Sequence, residues 1–470
     1  MIEFDNVSFR YDSGQQEGSI DKFSLRIKKG ECVLLCGPSG CGKTTAIRMM
    51  NGLIPHFYEG EMRGKVKVAG KNVVEEELYS IAQVVGTVFQ NPRSQFFNVD
   101  TTSELPFGCE NMGISEEEIR ERMEYTIEQA DIRGLVDRNI FKLSGGEKQK
   151  IACASVMTSS PDIIVLDEPS ANLDYAAIAD LQKMLAIWKK EGKTIVIAEH
   201  RLSYCLDFAE RIIIMDKGKI VRETDREEFK AYSDEVLHKM GLRSTKNIDA
   251  RNISKSTHTG ECMTIRNQCF EYERSDPVLN FDKLDIPLNE VTAIVGANGI
   301  GKTTFLRCLC GMEKKCKAVL EYHGSQYKNK QRRKLMYLVM QDVNHQLFTE
   351  SVLEEVLISM KKEKEKNAVE ILDGLDLLDL KDRHPISLSG GQKQRVAVAS
   401  AVASDRDIIL FDEPTSGLDY RHMMQVGSLF KMLKEAGKTI LVVTHDAELV
   451  ENCCTRVICL ERRTEHGTDF

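Results

Sequence analysis

The feature that most constrains this 470-residue chain is that four motifs occur twice, in the same order. A glycine-rich motif at 37–45 recurs at 296–304, an offset of 259 residues. A Leu-Ser-Gly-Gly sequence, an Asp-Glu-Pro sequence and a lone histidine then recur at a constant offset of 245 residues. These three pairs begin at Leu143 and Leu388, Asp167 and Asp412, and His200 and His445. A period this long indicates a duplicated domain rather than a solenoid of short repeats.

Each copy alternates short apolar runs with segments that suit helices. Ile163–Leu166 and Ile408–Phe411 are continuous apolar runs, as expected of strands buried on both faces of a parallel sheet. The pattern predicts an α/β fold with a mostly parallel sheet in each copy. We predict a first domain over 1–242, ending in a helix at 227–240 that the second copy lacks. A polar linker without apolar periodicity then covers 243–260, and a second domain covers 261–470.

Composition excludes several classes of protein. The net charge is −8, from 64 basic and 72 acidic residues, so there is no general case for nucleic-acid binding. No apolar run approaches the roughly 18–20 residues of a membrane-spanning helix, and the first residues lack the pattern of a secretory signal. The 14 cysteines show no zinc-ligand spacing and are expected to be free thiols. We therefore expect a cytosolic protein.

The glycine-rich motif has the form G-x-x-x-x-G-K-[ST], which is a P-loop. Its glycines let successive backbone N–H groups face one anion, and the helix that follows adds its positive end. We predict that Lys43 and Lys302 reach the β- and γ-phosphates and that Thr44 and Thr303 ligate Mg²⁺. The full predicted set is Gly37, Ser39, Gly40, Gly42, Lys43, Thr44 and Thr45 in the first copy, and Gly296, Asn298, Gly299, Gly301, Lys302, Thr303 and Thr304 in the second.

The Asp-Glu-Pro sequences follow buried strands, at the sheet edge where ligands bind in open α/β folds. Asp167 and Asp412 are predicted to hold Mg²⁺, directly or through water. The next residues, Glu168 and Glu413, are predicted to accept a proton from the attacking water. The alternative interpretation of such a pair is an exposed loop or a helix cap, which a P-loop upstream and a preceding apolar strand make weaker.

The Leu-Ser-Gly-Gly motif precedes a helix, so it can form a second anion site at that helix N-terminus. Its alternative interpretation is a plain N-cap with a flexible turn. A domain with a P-loop already has one phosphate site, so the second would serve the nucleotide of the other copy. The residues concerned are Ser144, Gly145 and Gly146 in the first copy, and Ser389, Gly390 and Gly391 in the second.

In this order and twice over, the motifs resemble two nucleotide-binding domains of the ATP-binding cassette (ABC) family, over nearly the whole chain. The resemblance implies two tandem P-loop ATPase domains, each with a helical subdomain, and two Mg²⁺–ATP sites, each completed by the serine and glycines of the other copy. It also implies that Gln90 and Gln341 contact Mg²⁺ and water. The further implied roles are adenine stacking for Tyr11 and Tyr272, and γ-phosphate sensing for His200 and His445.

The segments around the two glutamines, 88–97 and 341–348, and Ala198–Leu202 look like the ATPases of energy-coupling-factor (ECF) importers. That resemblance implies a motor for uptake of a vitamin or transition-metal ion. It also implies an integral membrane coupling subunit and a substrate-binding membrane subunit as partners, with the chain peripheral on the cytoplasmic face of the membrane. Two alternatives stay open: a tandem-cassette protein acting on ribosomes or DNA, and a non-catalytic nucleotide sensor.

Overall fold

The computed structural model describes residues 1–12, 18–171, 173–255, 260–271, 279–362 and 364–461. The chain divides into two compact units: Met1–Asn247 with Asp419–Arg421, and Ile248–Leu418 with His422–Phe470. Each unit contains one four-stranded antiparallel sheet and one larger, mainly parallel sheet. The predicted fold class, two tandem α/β domains, is therefore confirmed.

In the first unit, strand order brings the motif-bearing strands to neighbouring positions. The strands are β1 (Ile2–Tyr11), β2 (Ile20–Ile27), β3 (Cys32–Cys36), β4 (Gly60–Val68), β5 (Lys71–Asn72), β6 (Val85–Val88), β7 (Ile163–Asp167), β8 (Thr194–Ala198), β9 (Arg211–Asp216) and β10 (Lys219–Asp225). The antiparallel sheet runs β2-β1-β4-β5, and the larger sheet runs β10-β9-β3-β8-β7-β6. All neighbours in the larger sheet are parallel except β10 with β9. The carboxyl ends of β3, β7 and β8 therefore meet at one edge.

The helices of the first unit are α1 (Lys43–Met50), α2 (Leu53–His56), α3 (Leu78–Ala82), α4 (Thr101–Glu104), α5 (Phe107–Asn111), α6 (Glu116–Gln129), α7 (Gly145–Ser159), α8 (Tyr175–Lys190), α9 (Arg226–Lys230) and α10 (Asp234–Lys239). Helices α4 to α7 all lie between β6 and β7 in the chain, and they form a helical insertion into the sheet connection.

The predicted helix over 227–240 is instead two short helices, α9 and α10. Ser233 has extended backbone angles, φ −71° and ψ 157°, at the residue before α10. Its side chain makes no capping hydrogen bond, but its backbone oxygen accepts from the Val236 and Leu237 N–H groups, which starts α10. The turn over residues 231–233 separates α9 from α10, and the sequence-based prediction missed it.

The core of the first unit lies on both faces of the larger sheet. Successive strand residues point to opposite faces, so Leu34 and Leu166 pack in one cluster with α7 and α8. Leu35 and Val165 pack in another cluster with α1 and the antiparallel sheet. All of these side chains are fully buried. This explains why the strand sequences are continuously apolar rather than alternating.

The second unit repeats this arrangement with fewer elements. Its strands are β11 (Cys262–Phe270), β12 (Leu279–Pro287), β13 (Val291–Val295), β14 (Val319–Tyr322), β15 (Ser325–Tyr327), β16 (Met336–Val339), β17 (Ile408–Asp412), β18 (Thr439–Val443) and β19 (Arg456–Cys459). The sheets run β12-β11-β14-β15, antiparallel, and β16-β17-β18-β13-β19, parallel throughout. Within the described part of this unit, nothing corresponds to β10, α9 and α10.

The helices of the second unit are α11 (Lys302–Leu309), α12 (Asn329–Leu335), α13 (Val352–Ser359), α14 (Glu365–Asp373), α15 (Gly390–Ala403), α16 (Tyr420–Glu435) and α17 (Ala447–Cys453). Short 3₁₀ helices in the chain are Pro92–Ser94, Arg133–Leu135, Ile140–Lys142, Ala250–Asn252, Val343–His345, Leu378–Leu380 and Pro385–Ser387. Across the residues that the structure describes, every helix is too short or too polar to cross a membrane. All 14 cysteines are free thiols, as predicted.

Candidate active sites

The first P-loop joins β3 to α1, and its glycines set its shape. Gly37, Gly40 and Gly42 have φ of 153°, 76° and 105°, which L-residues with side chains rarely adopt. A Cβ atom on Gly37 would lie 2.2 Å from the backbone oxygen of Met215 in β9. The loop therefore packs against the sheet edge so closely that only glycine fits there.

Lys43 is buried at the centre of this loop. Its Nζ donates hydrogen bonds to the carbonyl oxygens of Gly37, at 3.0 Å, and Pro38, at 3.3 Å. The same Nζ lies 3.2 Å from Nε2 of His200, which follows β8. The ammonium group and the predicted phosphate-sensing histidine thus meet over the loop, where an anion would be bound.

The second P-loop has the same geometry between β13 and α11. Gly296, Gly299 and Gly301 have φ of 153°, 74° and 104°. Lys302 Nζ donates to the carbonyl oxygens of Gly296, at 2.9 Å, and Ala297, at 3.0 Å. Two loops with near-identical backbone angles show that the glycine spacing determines the conformation in both copies. The loops fit a polyphosphate because their glycines permit close backbone approach.

A hydroxyl and a buried carboxylate lie together beside each P-loop. Thr44 Oγ1 donates to Asp167 Oδ1 at 3.0 Å. Burial and the neighbouring charge of Glu168 raise the pKa of the Asp167 carboxyl to about 7. In the second unit, burial likewise raises the pKa of Asp412, against a hydrogen bond from Thr303 that lowers it. Oxygen donors of this kind are what Mg²⁺ prefers, so these pairs fit the metal that the sequence predicts.

In the first unit, Glu168 contacts His200, the other predicted catalytic residue, and Gln90, the predicted contact of Mg²⁺ and water. Its Oε1 lies 3.3 Å from His200 Nε2, and its Oε2 accepts a hydrogen bond from Gln90 Nε2 at 2.8 Å. Burial acts to raise the pKa of Glu168, but the charges of His200 and Lys43 outweigh it and hold that pKa below its ordinary value. Glu168 is thus held as a carboxylate, the form that accepts a proton.

The backbone of Glu168 is itself unusual, with φ of 45°, a left-handed value that a glutamate rarely adopts. Its N–H donates to the carbonyl oxygen of Ala198 at the end of β8, at 2.8 Å. Glu413 repeats this, with φ of 51° and an N–H bond to Val443 at 2.9 Å. Such strain costs of order 1–3 kcal/mol and clusters at active sites.

In the second site, the histidine side chain contacts a different residue of the P-loop. His445 Nε2 lies 3.0 Å from Asn298 Oδ1 in the P-loop and 3.6 Å from Glu413 Oε1. The His445 backbone N–H donates to Glu413 Oε2 at 3.3 Å. Burial and the charge of Asp412 raise the pKa of Glu413 to about 8. The two glutamates therefore have pKa values shifted in opposite directions: the charges of His200 and Lys43 outweigh burial at Glu168, whereas burial and the charge of Asp412 prevail at Glu413.

The Leu-Ser-Gly-Gly turns both cap the helices that follow them. Ser144 Oγ accepts from the Glu147 N–H at 3.3 Å, and the Glu147 side chain accepts from the Ser144 N–H at 2.8 Å. Ser389 and Gln392 form the equivalent pair, at 3.4 Å and 3.0 Å. This reciprocal arrangement is a capping box. The N-cap interpretation is therefore correct for both serines, and the predicted second anion site would use the same helix ends.

Of the tyrosines and glutamines predicted to contact the nucleotide or Mg²⁺, the structure describes Tyr11, Gln90 and Gln341. Tyr11 OH lies 3.0 Å from Thr45 Oγ1 and accepts from Arg48 at 3.1 Å, which puts its ring beside the first P-loop helix. Tyr272 lies outside the described residues. Gln341 comes two residues after β16, as Gln90 does after β6. The structure thus places the Tyr11 hydroxyl beside the P-loop helix, and stacking of its ring on adenine stays a prediction.

Sequence reasoning did not single out Glu199, the residue before His200. Its buried carboxylate accepts four hydrogen bonds: from the backbone N–H groups of Ser170, His200 and Arg201, and from Tyr204 OH. The signal that could have found it is an acidic residue directly between an apolar strand and the histidine. In the second copy Thr444 stands at this position.

The comparisons with known proteins agree with this geometry. The ABC transporter family matches residues 20–171 and 279–416. A Treponema denticola protein provisionally named as an ABC transporter ATP-binding protein is 45% identical over 467 residues, covering 98% of this chain and 95% of its own length. A Bacillus subtilis protein provisionally named as the HMP/thiamine import ATP-binding protein YkoD is 32% identical over 98% of this chain and 90% of its own length.

Among solved structures, the RNase-L inhibitor covers 97% of this chain and 87% of its own length, with a TM-score of 0.64 and 21% identity. At that identity the likeness concerns the fold alone. The family match and the whole-length relatives agree with the two P-loops, each beside its own glutamate and histidine. The chain belongs to the ABC transporter family and is an ATP-binding ATPase with two cassettes.

Proposed function

We propose that this protein is the motor subunit of an ABC importer of the ECF type. It would couple ATP hydrolysis to uptake of a small nutrient, a vitamin or a transition-metal ion, through separate membrane subunits. The observation that carries the proposal is an exposed apolar patch in the same place on both cassettes, connected in the first cassette to the catalytic glutamate. The name of the YkoD relative, which refers to thiamine import, supports the choice of a vitamin.

The patch of the first cassette consists of Phe97 and Phe141, which are 75% and 74% exposed. Backbone pairing brings them to one area: the Ile140 N–H donates to the Val99 oxygen at 2.9 Å, and the Thr101 N–H to the Arg138 oxygen at 3.0 Å. Exposed apolar side chains that lie in one area, unlike isolated ones, mark interaction surfaces.

The second cassette has the equivalent patch, Phe348 and Ile386, which are 72% and 71% exposed. Here the Val352 N–H donates to the Arg383 oxygen at 3.0 Å, which repeats the Thr101 bond. Two patches of the same design fit two similar apolar segments of a partner. We propose that the occupants are short cytoplasmic helices of an integral membrane coupling subunit.

The chain from Gln90 to Phe97 links the patch to the chemistry. Gln95 ties this segment down, because its side chain accepts from the Phe89 N–H at 3.4 Å and donates to the Ala152 oxygen at 3.1 Å. Gln90 in turn holds Glu168 at 2.8 Å. A partner that moves the patch would therefore move the group that holds the general base.

Hydrolysis uses positioning and charge neutralisation more than covalent chemistry. Glu168 and, in its ionised form, Glu413 would accept the proton of the attacking water, while Lys43 and Lys302 hold the phosphate oxygens. Mg²⁺, when bound, supplies positive charge on those oxygens, and the threonines and aspartates beside the P-loops would hold it. From the resemblance to the ABC family, we further propose that the serine and glycines of each Leu-Ser-Gly-Gly motif complete the ATP site of the other cassette.

The proposal is tested by expressing the chain with the membrane proteins encoded beside its gene and measuring co-purification in detergent. Replacing Phe97 and Phe348 together by aspartate should abolish association, while the control substitution Tyr79→Asp, at a side chain 69% exposed elsewhere, should not. Thermal unfolding checks that each variant is folded. If wild-type chain never binds a membrane subunit and instead sediments with ribosomes in an ATP-dependent manner, the proposal is wrong and the ribosomal alternative is favoured.

A further inference from the structure

The first cassette contains a buried carboxylate that the chemistry of ATP hydrolysis does not use directly. Glu199 is 2% exposed and lies between the end of β8 and His200. An ionised carboxylate is costly to bury unless its oxygens are hydrogen-bonded. Neighbouring residues must therefore donate hydrogen bonds to both carboxylate oxygens of Glu199.

Four donors satisfy Glu199. Oε2 accepts from the backbone N–H groups of His200, at 2.7 Å, and Arg201, at 3.0 Å. Oε1 accepts from the Ser170 N–H, at 3.1 Å, and Tyr204 OH, at 3.0 Å. The two oxygens of a carboxylate have about four lone-pair sites, so all the acceptor sites of Glu199 are occupied.

These donors come from both sides of the catalytic pair. Ser170 lies two residues after Glu168, and the other donors lie on the loop that carries His200. Glu199 therefore ties the glutamate loop to the histidine loop. This link positions the two side chains whose atoms Glu168 Oε1 and His200 Nε2 lie 3.3 Å apart.

In the second cassette, different residues join the glutamate loop to the histidine loop. Thr444, fully buried, occupies the equivalent position, and its Oγ1 accepts from the Asp446 N–H at 3.0 Å. The acidic residue is displaced to Asp446, which accepts from Thr415 Oγ1 at 2.7 Å and caps α17 through the Leu449 N–H at 3.1 Å. The histidine-to-glutamate distance is longer here, at 3.6 Å.

We propose that Glu199 is a positioning residue that holds His200 against Glu168 in the first ATP site, from a position that Thr444 fills in the second. The first site then depends on a buried carboxylate that precedes its histidine, whereas the second joins the same two loops through Asp446, which follows its histidine. The inference rests on ATP hydrolysis and not on transport, so failure of the importer proposal leaves it standing.

The test uses the full chain with ¹⁵N-labelled histidine, of which there are ten. The His200 ring signal is identified by its absence in His200→Ala, and the His445 signal by its absence in His445→Ala. Glu199→Gln keeps the shape but removes the charge and one acceptor oxygen. It should shift the His200 signal and leave the His445 signal in place. A purely structural role predicts a less stable variant whose folded fraction keeps its kcat.

Kinetics provide the second measurement. Measured in a Glu413→Gln background, so that the second site does not contribute, Glu199→Gln should lower the kcat of ATP hydrolysis by up to about 10-fold to 100-fold, toward that of His200→Ala. The KM for ATP should change by less than about threefold, because the phosphate-binding groups are untouched. In the double variant Glu199→Gln/His200→Ala, kcat should equal that of His200→Ala alone.

Two further variants control the experiment. Glu210→Gln changes another carboxylate of the first unit, one that accepts from the Cys32 N–H at 2.7 Å, and it should leave both histidine signals in place. Tyr204→Phe removes one of the four donors and should shift the His200 signal less than Glu199→Gln does, which covers the case in which Glu199→Gln fails to fold. An unshifted His200 signal in a folded variant, or an equal loss of kcat in the His200→Ala background, would overturn the proposal.

Discussion

Replacing Gly37 by alanine tests whether the P-loop requires glycine for steric reasons. The added Cβ would lie 2.2 Å from the Met215 backbone oxygen and 2.8 Å from Cys41 Sγ, at φ of 153°. Met215 belongs to β9, which is hydrogen-bonded in the sheet, so the carbonyl has little freedom to move. The unfavourable backbone angle costs about 1–2 kcal/mol and overpacking about 1–3 kcal/mol, so we expect about 2–5 kcal/mol of destabilisation.

Two other glycines of the same unit separate these contributions. Gly192 has φ of 73° but nothing within 4 Å of its Cβ position, so Gly192→Ala should cost only the backbone term of about 1–2 kcal/mol. Gly134 has neither a positive φ nor a close neighbour, so Gly134→Ala should change stability by less than about 1 kcal/mol.

The assay is urea unfolding followed by tryptophan fluorescence. The chain has one tryptophan, Trp188, which is buried in the core of the first unit, so its signal reports unfolding of that unit. The expected order of destabilisation is Gly37→Ala, then Gly192→Ala, then Gly134→Ala. If Gly37→Ala is no less stable than Gly192→Ala, the steric argument for the loop is refuted.

Two remaining predictions concern catalysis and the cysteines. The double variant Glu168→Gln/Glu413→Gln should lose about 10²–10⁴-fold in steady-state ATPase rate, because neither site keeps a general base; retention of most of the rate would exclude these residues as bases. At pH 8 a thiol-specific reagent should modify the exposed Cys262 and Cys269 quickly, and the buried Cys153 only when the protein unfolds. The reason is that burial raises the pKa of the Cys153 thiol to about 12, which keeps it protonated and unreactive. Rapid native labelling of Cys153, measured by peptide mass spectrometry, would contradict its burial.

Local sequence determined the parts of the fold that need only neighbouring residues. The P-loop glycines were recognisable because their spacing matches a required backbone geometry. Continuous apolar runs such as Ile163–Leu166 identified the buried strands. The break at Ser233 was harder to predict, because one polar residue in an otherwise helical segment rarely decides an element by itself.

The contacts between distant segments could not be read in the same way. Val99 and Ile140 pair only because the helical insertion folds back, and this pairing brings Phe97 and Phe141 to one surface. The opposite pKa shifts of the two glutamates likewise depend on folding, because the charge of His200 reaches Glu168 only where β7 and β8 are neighbours. Sequence motifs that match residue by residue gave no sign of this difference.

By itself, the sequence determined that the chain is duplicated and that each copy is an α/β P-loop domain, and it predicted which residues carry phosphate and metal chemistry. These properties depend on spacing, periodicity and residue type, which are local. Only the tertiary structure decided that Glu199 joins the loops of Glu168 and His200, because its donors are brought together by packing of β7 and β8. A buried charge is satisfied by whatever the fold places around it, and that is fixed only when the sheet is assembled.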